Sequence, residues 1–482
     1  MSYRKENTMA EELTLYTGKL NYKDIDFTFV FDGNELKLIP PKEKEHEIEC
    51  EWGWTTLESG AKIWADPIPV GVDQMIGKCN ETRHRVVFLP KTGATLGLYN
   101  YVVRIPLSAY VIYKYDRDSV DRISVSCPEI NYIHPENQGI TLSFPSTEDQ
   151  DTGVFSVSTP EYGQTTTEEQ VFIVDGKEVK AYFGITRTVS TSIHTPPLRM
   201  NSSLMFEFDP IEDYQFIFHL WRVARDFIRF LCYRKNIFIP QIELAAPYEG
   251  GKHESFATMY LLGQNGESES EALKQGRFIK QSRISGHEGE ILSDIANDCL
   301  YLRHLPETYE SGRHIDAARF VMITAAFEWE FRKLYPEGVS KKDATIRAEE
   351  AVAQCIQEHI DQSSGKQKEI FKLLKKSISF SPLHAEITQT GKDLSGIVGA
   401  FGNRLYRING EELIYTEMGQ RLAQQRNNFA HGNLDKEFKG SSLLDLVFME
   451  YILYAMQLKR YGIKDMDIQK AINDLFHLSF AL

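Results

Sequence analysis

Short runs of β-branched and aromatic residues recur from residue 10 to about residue 205, at 26–31, 85–89, 101–105, 109–113 and 181–188. Gly, Pro, Asn and Asp punctuate them, a rhythm that predicts a sandwich or related all-β module. Polar inserts at 146–152 and 163–170 read as exposed loops. The pattern changes at Asp209 and Pro210. Over 211–236 the apolar positions Phe216, Leu220, Val223, Phe227, Phe230 and Leu231 fall at helical spacing. Residues 237–244 and 256–262 again look extended, and the acidic stretch 263–275 reads as a linker.

Beyond that stretch the periodicity is helical almost throughout. Segment 313–335 carries apolar residues on nearly all sides, from Phe320 and Val321 to Phe327, Trp329 and Phe331, which predicts the central helix of a bundle. Further helices are expected over 344–360, 367–378, 394–408, 416–430 and 443–461. The expected architecture is therefore a multidomain α+β protein. Residues 1–306 form a β-rich, sensor-like region that includes the helix near 211–236 and the linker near 263–275, and residues 307–482 form an all-α bundle.

Composition narrows the function classes. The chain has 482 residues, long enough for more than one core, with a 42% apolar and 25% charged content ordinary for globular proteins. Met1 to Leu13 is polar and makes no secretory signal. The apolar-rich stretch 443–456 is interrupted by Asp445 and Glu450, so no membrane span is expected and the protein is placed in the cytoplasm. Six cysteines without a CxxC pair fit reduced thiols rather than a disulfide framework. His46, Cys50, Cys79 and His84 are spaced too loosely for a structural metal, and no cofactor is expected. A net charge of −14, from 54 basic and 68 acidic side chains, argues against wholesale wrapping of nucleic acid. It leaves room for an enzyme that holds RNA briefly in one cleft. Gly250, Gly251 and Lys252 lack the GxxxxGK[ST] spacing of a phosphate loop.

The chemistry concentrates at Arg426-Asn427-Asn428-Phe429-Ala430-His431-Gly432. Arg and Asn are common on solvated helix faces, and His before Gly is an ordinary helix end, so the pattern alone decides little. At about 100° per residue, Met418, Leu422 and Phe429 form one apolar stripe. Arg426 lies at its edge, and Asn427 and His431 share the other side. A helix carboxyl end favours imidazolium and holds a histidine near neutrality. Imidazole for proton transfer and a guanidinium for phosphate suit cleavage of RNA by its own 2′-hydroxyl, without a metal.

A helix carrying AFEWEFR and a later one ending RNxxxHG resemble the HEPN superfamily, whose pattern Arg426, Asn427 and His431 match position by position. The whole chain, including RDFIRFLCYRKNIFIP at 225–240, is similar to ApeA-like anti-phage proteins. The resemblance implies a metal-independent endoribonuclease of an abortive-infection system that cleaves host RNA, transfer RNA among the expected targets. It also implies at least a homodimer, restrained until the β-rich region senses a phage-derived trigger. Lys372, Lys375 and Lys376, in a run with Lys366 and Lys368, are candidates for gripping RNA, although such runs are usually a solvated helix face. Glu328 and Glu330 are candidates to orient Arg426, and Trp52, Trp54 and Trp64 are candidates for a binding surface, with packing in a core the favoured reading. Two other functions remain open. One is a non-catalytic HEPN scaffold that dimerises or binds a partner; the other is a β-rich region that carries the main activity as a carbohydrate- or protein-binding module.

Overall fold

In Ile25-Asp26-Phe27-Thr28-Phe29-Val30-Phe31 the odd-numbered side chains are apolar and buried, so one face of a strand is committed to a core. The computed structural model describes residues 15–481, apart from 53, 65–67, 100, 144–155, 250–251, 265, 267–268, 379–380, 431–437 and 439. Strands β1 (Tyr16–Tyr22), β2 (Ile25–Phe31), β3 (Glu35–Ile39), β4 (Met75–Cys79), β5 (Arg85–Pro90) and β6 (Val102–Tyr113) close into an antiparallel barrel. Closure depends on β6, which pairs with β3 along Val103–Pro106 and with β5 along Leu107–Ile112. Phe27, Phe29, Phe31, Leu38, Phe88 and Ile105 belong to the barrel core. A Cβ on Gly18 would lie 2.0 Å from the Lys78 carbonyl oxygen and 2.5 Å from the Phe29 ring, so β1 and β4 meet over Phe29 only because that residue is glycine.

The other end of β6 feeds an open sheet. Tyr113 and its neighbours pair with β12 (Lys252–Leu261), followed by β11 (Gln241–Tyr248), β7 (Val120–Val125), β10 (Leu198–Ile211), β9 (Lys177–Val189) and β8 (Gln170–Val174). Helix α1 (Tyr214–Cys232) packs on this sheet through Phe216 against Phe208 and Phe227 against Phe183. The all-β module is thus a barrel continued into one sheet rather than two facing sheets. The runs at 101–105 and 109–113 are a single strand whose halves take different partners. Trp52 packs on Tyr22 and Phe27 at the barrel core, whereas Trp54 is largely exposed and donates its ring N–H to the Glu49 carbonyl. The Trp64 side chain lies outside the described residues. Cys79 is buried, and its thiol donates to Glu81.

The helical part comprises α2 (Ala317–Leu334), α3 (Asp343–Gln362), α4 (Gly365–Ile378), α5 (Leu383–Asp393), α6 (Ser395–Ile408), α7 (Tyr415–Ala430), α8 (Ser442–Arg460) and α9 (Asp465–Leu475). Asp316 caps α2 by accepting the Arg319 N–H at 2.7 Å. The most enclosed helix is α8, buried continuously from Phe448 to Leu458. Helix α2 was the expected centre, yet its Met322 and Trp329 remain exposed. Aromatic content misleads there, because the Trp329 indole sits at the helix surface beside the Tyr301 ring, with its N–H reaching the Cys299 carbonyl.

Two compact units result. One comprises Met1–Arg229, Asn236–Ser268 and Glu288–Asn297; the other, helical, comprises Phe230–Lys235, Glu269–His287 and Asp298–Leu482. The helical unit therefore takes in residues before 307. Phe230 stacks on Tyr454 at 5.3 Å, and Leu273, Phe278 and Ile279 are buried. Within the expected linker, Ser270–Lys274 is helical. No helix among the described residues is long and apolar enough to cross a membrane.

Candidate active site

Helix α7 buries Met418, Leu422 and Phe429, the stripe read from the sequence. It is fixed from both sides. Arg421 donates to both oxygens of the buried Asp445 on α8, at 2.7 and 2.8 Å, and the Tyr406 hydroxyl donates to the same carboxylate. Toward its start, α7 lies directly against α5. A Cβ on Gly419 would meet the His384 carbonyl at 2.6 Å, and one on Gly391 would meet the Tyr415 ring at 2.3 Å. At its end, Phe429 packs edge-on against Phe320 of α2 at 5.5 Å and Phe438 at 5.2 Å.

That framework sets Arg426 at the edge of the buried face, with 35% of its side chain exposed. Its Nη2 donates to Glu328 Oε2 at 3.1 Å and to Oε1 at 3.4 Å. Asn427 is exposed beside it, its Oδ1 at a long 3.5 Å from Arg426 Nη1. His431, with Gly432 and Asn433, lies outside the described residues. Glu330 does not share the role expected of it. Two residues on, about 200° around the helix from Glu328, it is fully buried and accepts from Arg460 Nε at 3.0 Å.

One group escaped the sequence reading. Glu386 on α5 lines a cavity of about 200 Å³ with Glu328, Phe331, Arg332, Tyr335 and Ser381. Burial, then the nearby Glu328 charge, raises its pKa to about 7, with Arg332 opposing. A carboxyl poised near neutrality can give or take a proton at physiological pH. The only signal for it would have been that α5 packs on α7, which the sequence does not show. Lys372, Lys375 and Lys376 stand elsewhere in the unit, on α4. They line a groove of about 610 Å³ against Glu349, Glu350 and Gln357 of α3, and Lys375 Nζ donates to Gln357 Oε1 at 2.6 Å.

The arrangement offers an oriented, solvent-reachable guanidinium, an exposed amide next to it, and a carboxyl that titrates near pH 7 behind its partner. Such groups suit an anionic substrate and proton transfer. No group of three or more His, Cys, Asp or Glu capable of holding a metal occurs among the described residues. No family model matches the chain, and no curated protein or solved structure is significantly similar to it.

Proposed function

We propose that the helical unit is a HEPN-type endoribonuclease acting in anti-phage abortive infection, with Arg426, Asn427 and His431 as its catalytic residues. One observation carries the reading: Arg426 is held by Glu328 yet left about one-third open to solvent at the end of α7, five residues before His431 in sequence. A guanidinium fixed on one side and open on the other can neutralise a phosphate without searching for its orientation. His431 then moves the proton of the attacking 2′-hydroxyl or of the leaving oxygen. Because one chain supplies a single Arg426 and His431, the active unit we envisage is a homodimer with the site across a two-fold axis. RNA, transfer RNA among it, is the proposed substrate, the cytoplasm the proposed location, and Lys372, Lys375 and Lys376 a secondary RNA grip.

The test is cleavage of total RNA by the purified full chain in EDTA, with the ends sequenced. Products ending in 2′,3′-cyclic phosphate are expected, and Arg426→Ala and His431→Ala should each abolish them while remaining folded. Cleavage that stops on chelation, or persists in His431→Ala, refutes the mechanism.

A second reading rests on the α3–α4 hairpin, where Ile346, Val352, Ile370, Leu373 and Leu374 are exposed. Helix α3 carries Glu349, Glu350, Glu358 and Asp361, and α4 carries the lysine run, so two copies related by a two-fold axis would set acid against base. On that reading the unit is a scaffold that joins copies of this chain, and the cellular effect survives Arg426→Ala but not Leu373→Glu.

A further inference from the structure

Within the helical unit, segments 232–234, 272–277 and 306–315 meet α8 and α9 around a cavity of about 340 Å³. That volume lies within the range of small-molecule sites. Its lining grades from closed to open: Arg234 is 1% exposed, Arg277 and Tyr309 are half-buried, and the Arg313 side chain is 64% exposed. None of these residues belongs to the candidate nuclease site.

The charges here are unbalanced in one direction. Glu450, at the cavity wall, is already engaged: Arg319 Nη2 donates to it at 2.9 Å, and the Tyr233 hydroxyl donates to the same oxygen. Glu269, 3.7 Å from Arg234 Nε, also accepts the Tyr309 backbone N–H at 2.8 and 3.0 Å. Arg277 has no such partner. Its Nε donates to the neutral Gln275 side chain at 2.9 Å, and its guanidinium lies 4.5 Å from the centre of the Tyr309 ring. Among the described residues no carboxylate pairs with it. Burial, and the neighbouring Arg313, lower its pKa. Arg313 Nη1 lies 3.6 Å from Glu310 Oε1, but both side chains are open to solvent, which screens the pair. The half-buried Arg277 beside it still calls for an anion, and two guanidinium forks match the oxygens of a phosphate better than a single carboxylate.

The rest of the lining is aromatic. Tyr309, Tyr451 and Phe476 share the cavity with the two arginines. Rings and guanidinium planes of this kind stack on a nucleobase with little regard to its identity. We propose that this cavity binds a free nucleoside monophosphate, its phosphate on Arg277 and Arg313 and its base among Tyr309, Tyr451 and Phe476. The site is separate from the proposed nuclease centre and stands whether or not that centre cleaves RNA.

Isothermal titration of the full chain with each of the four ribonucleoside 5′-monophosphates tests this, with adenosine, guanosine and inorganic phosphate as controls. At least one monophosphate should bind tenfold or more tightly than its nucleoside and than phosphate. Arg277→Ala should weaken that binding about tenfold to a hundredfold, the worth of a charge-assisted contact. Arg313→Glu, on the exposed rim, should do the same with no change in melting temperature, and it decides the matter if Arg277→Ala does not fold. Arg426→Ala should leave the affinity unchanged. The proposal is overturned if no monophosphate binds, if nucleoside or phosphate alone binds as tightly, or if Arg313→Glu has no effect. It is equally overturned if Arg426→Ala abolishes binding, since the nucleotide then occupies the nuclease site.

Discussion

Glu328 reaches Arg426 with both carboxylate oxygens, at 3.1 and 3.4 Å, from a helix that also carries Glu330 two residues later. The two glutamates have opposite surroundings. Glu328 meets a partly exposed guanidinium, while Glu330 is enclosed with Arg460. Substituting them should therefore separate function from stability. Glu328→Gln weakens a pair that solvent screens at its Arg426 end, so urea unfolding should shift by about 1 kcal/mol or less, while RNA cleavage should fall roughly 10-fold through the lost orientation of Arg426. Glu330→Gln takes the charge from a fully buried carboxylate that binds the part-buried Arg460 guanidinium and should cost about 3–5 kcal/mol. Equal effects of both on cleavage at unchanged stability would deny Glu328 a positioning role.

Glu386 makes the protein pH-sensitive in a defined direction. Its pKa is raised from 4.5 to about 7 in the folded chain, so the native state holds a proton that the unfolded state releases. The stability tied to that proton is complete below pH 4.5 and is lost as pH rises to about 7. Its size is about 1–3 kcal/mol. Glu386→Gln should remove this slope from unfolding curves collected across the range and should stabilise the protein at pH 8. A slope that survives the substitution assigns the effect to another group.

Asp445 holds α7 in place, taking two hydrogen bonds from Arg421 and one from Tyr406. Asp445→Asn should destabilise the chain by about 3 kcal/mol and lower cleavage through misplacement of Arg426. Calorimetry and a cleavage assay at a temperature where both proteins are folded distinguish the two losses.

If the site is composite, specific activity should fall on dilution in step with dissociation measured by light scattering. A monomer of constant specific activity would exclude the two-fold arrangement.

Much of the helical unit was legible because its signals are local. Met418, Leu422 and Phe429 announce their common face through spacing alone, and Arg426 at the edge of that stripe follows. Glu328 was legible only as one of two candidates, because choosing between it and Glu330 requires knowing where Arg460 lies. Helix α5 left no clear period: Thr388, Thr390 and Gly391 interrupt its apolar positions, and Gly391 is there to admit the Tyr415 ring. Glu386 was invisible for the same reason. In the β-rich unit, strands were readable and their closure was not, because the partners of β6 are set by contacts between distant segments.

A fragment beginning at residue 307 illustrates the cost of reading boundaries from local pattern. It would lack Phe230 and Tyr233, which pack on Tyr454, together with the buried Leu273, Phe278 and Ile279. Such a fragment should give no cooperative unfolding transition, judged by circular dichroism in urea. A fragment that melts cooperatively would show those segments to be dispensable.

The stacking of Phe230 on Tyr454 has a consequence in time. The Tyr454 hydroxyl donates to the Phe230 carbonyl across 224 positions of sequence. At a ribosomal pace of about 5–20 residues per second, Phe230 waits roughly 10–45 s for its partner after it is made. Throughout that interval the nascent helical unit lacks α8, the helix against which the Arg426 helix is anchored by Asp445. A newborn chain is thus without its assembled centre while it is still tethered to the ribosome, the one RNA-rich particle it cannot avoid.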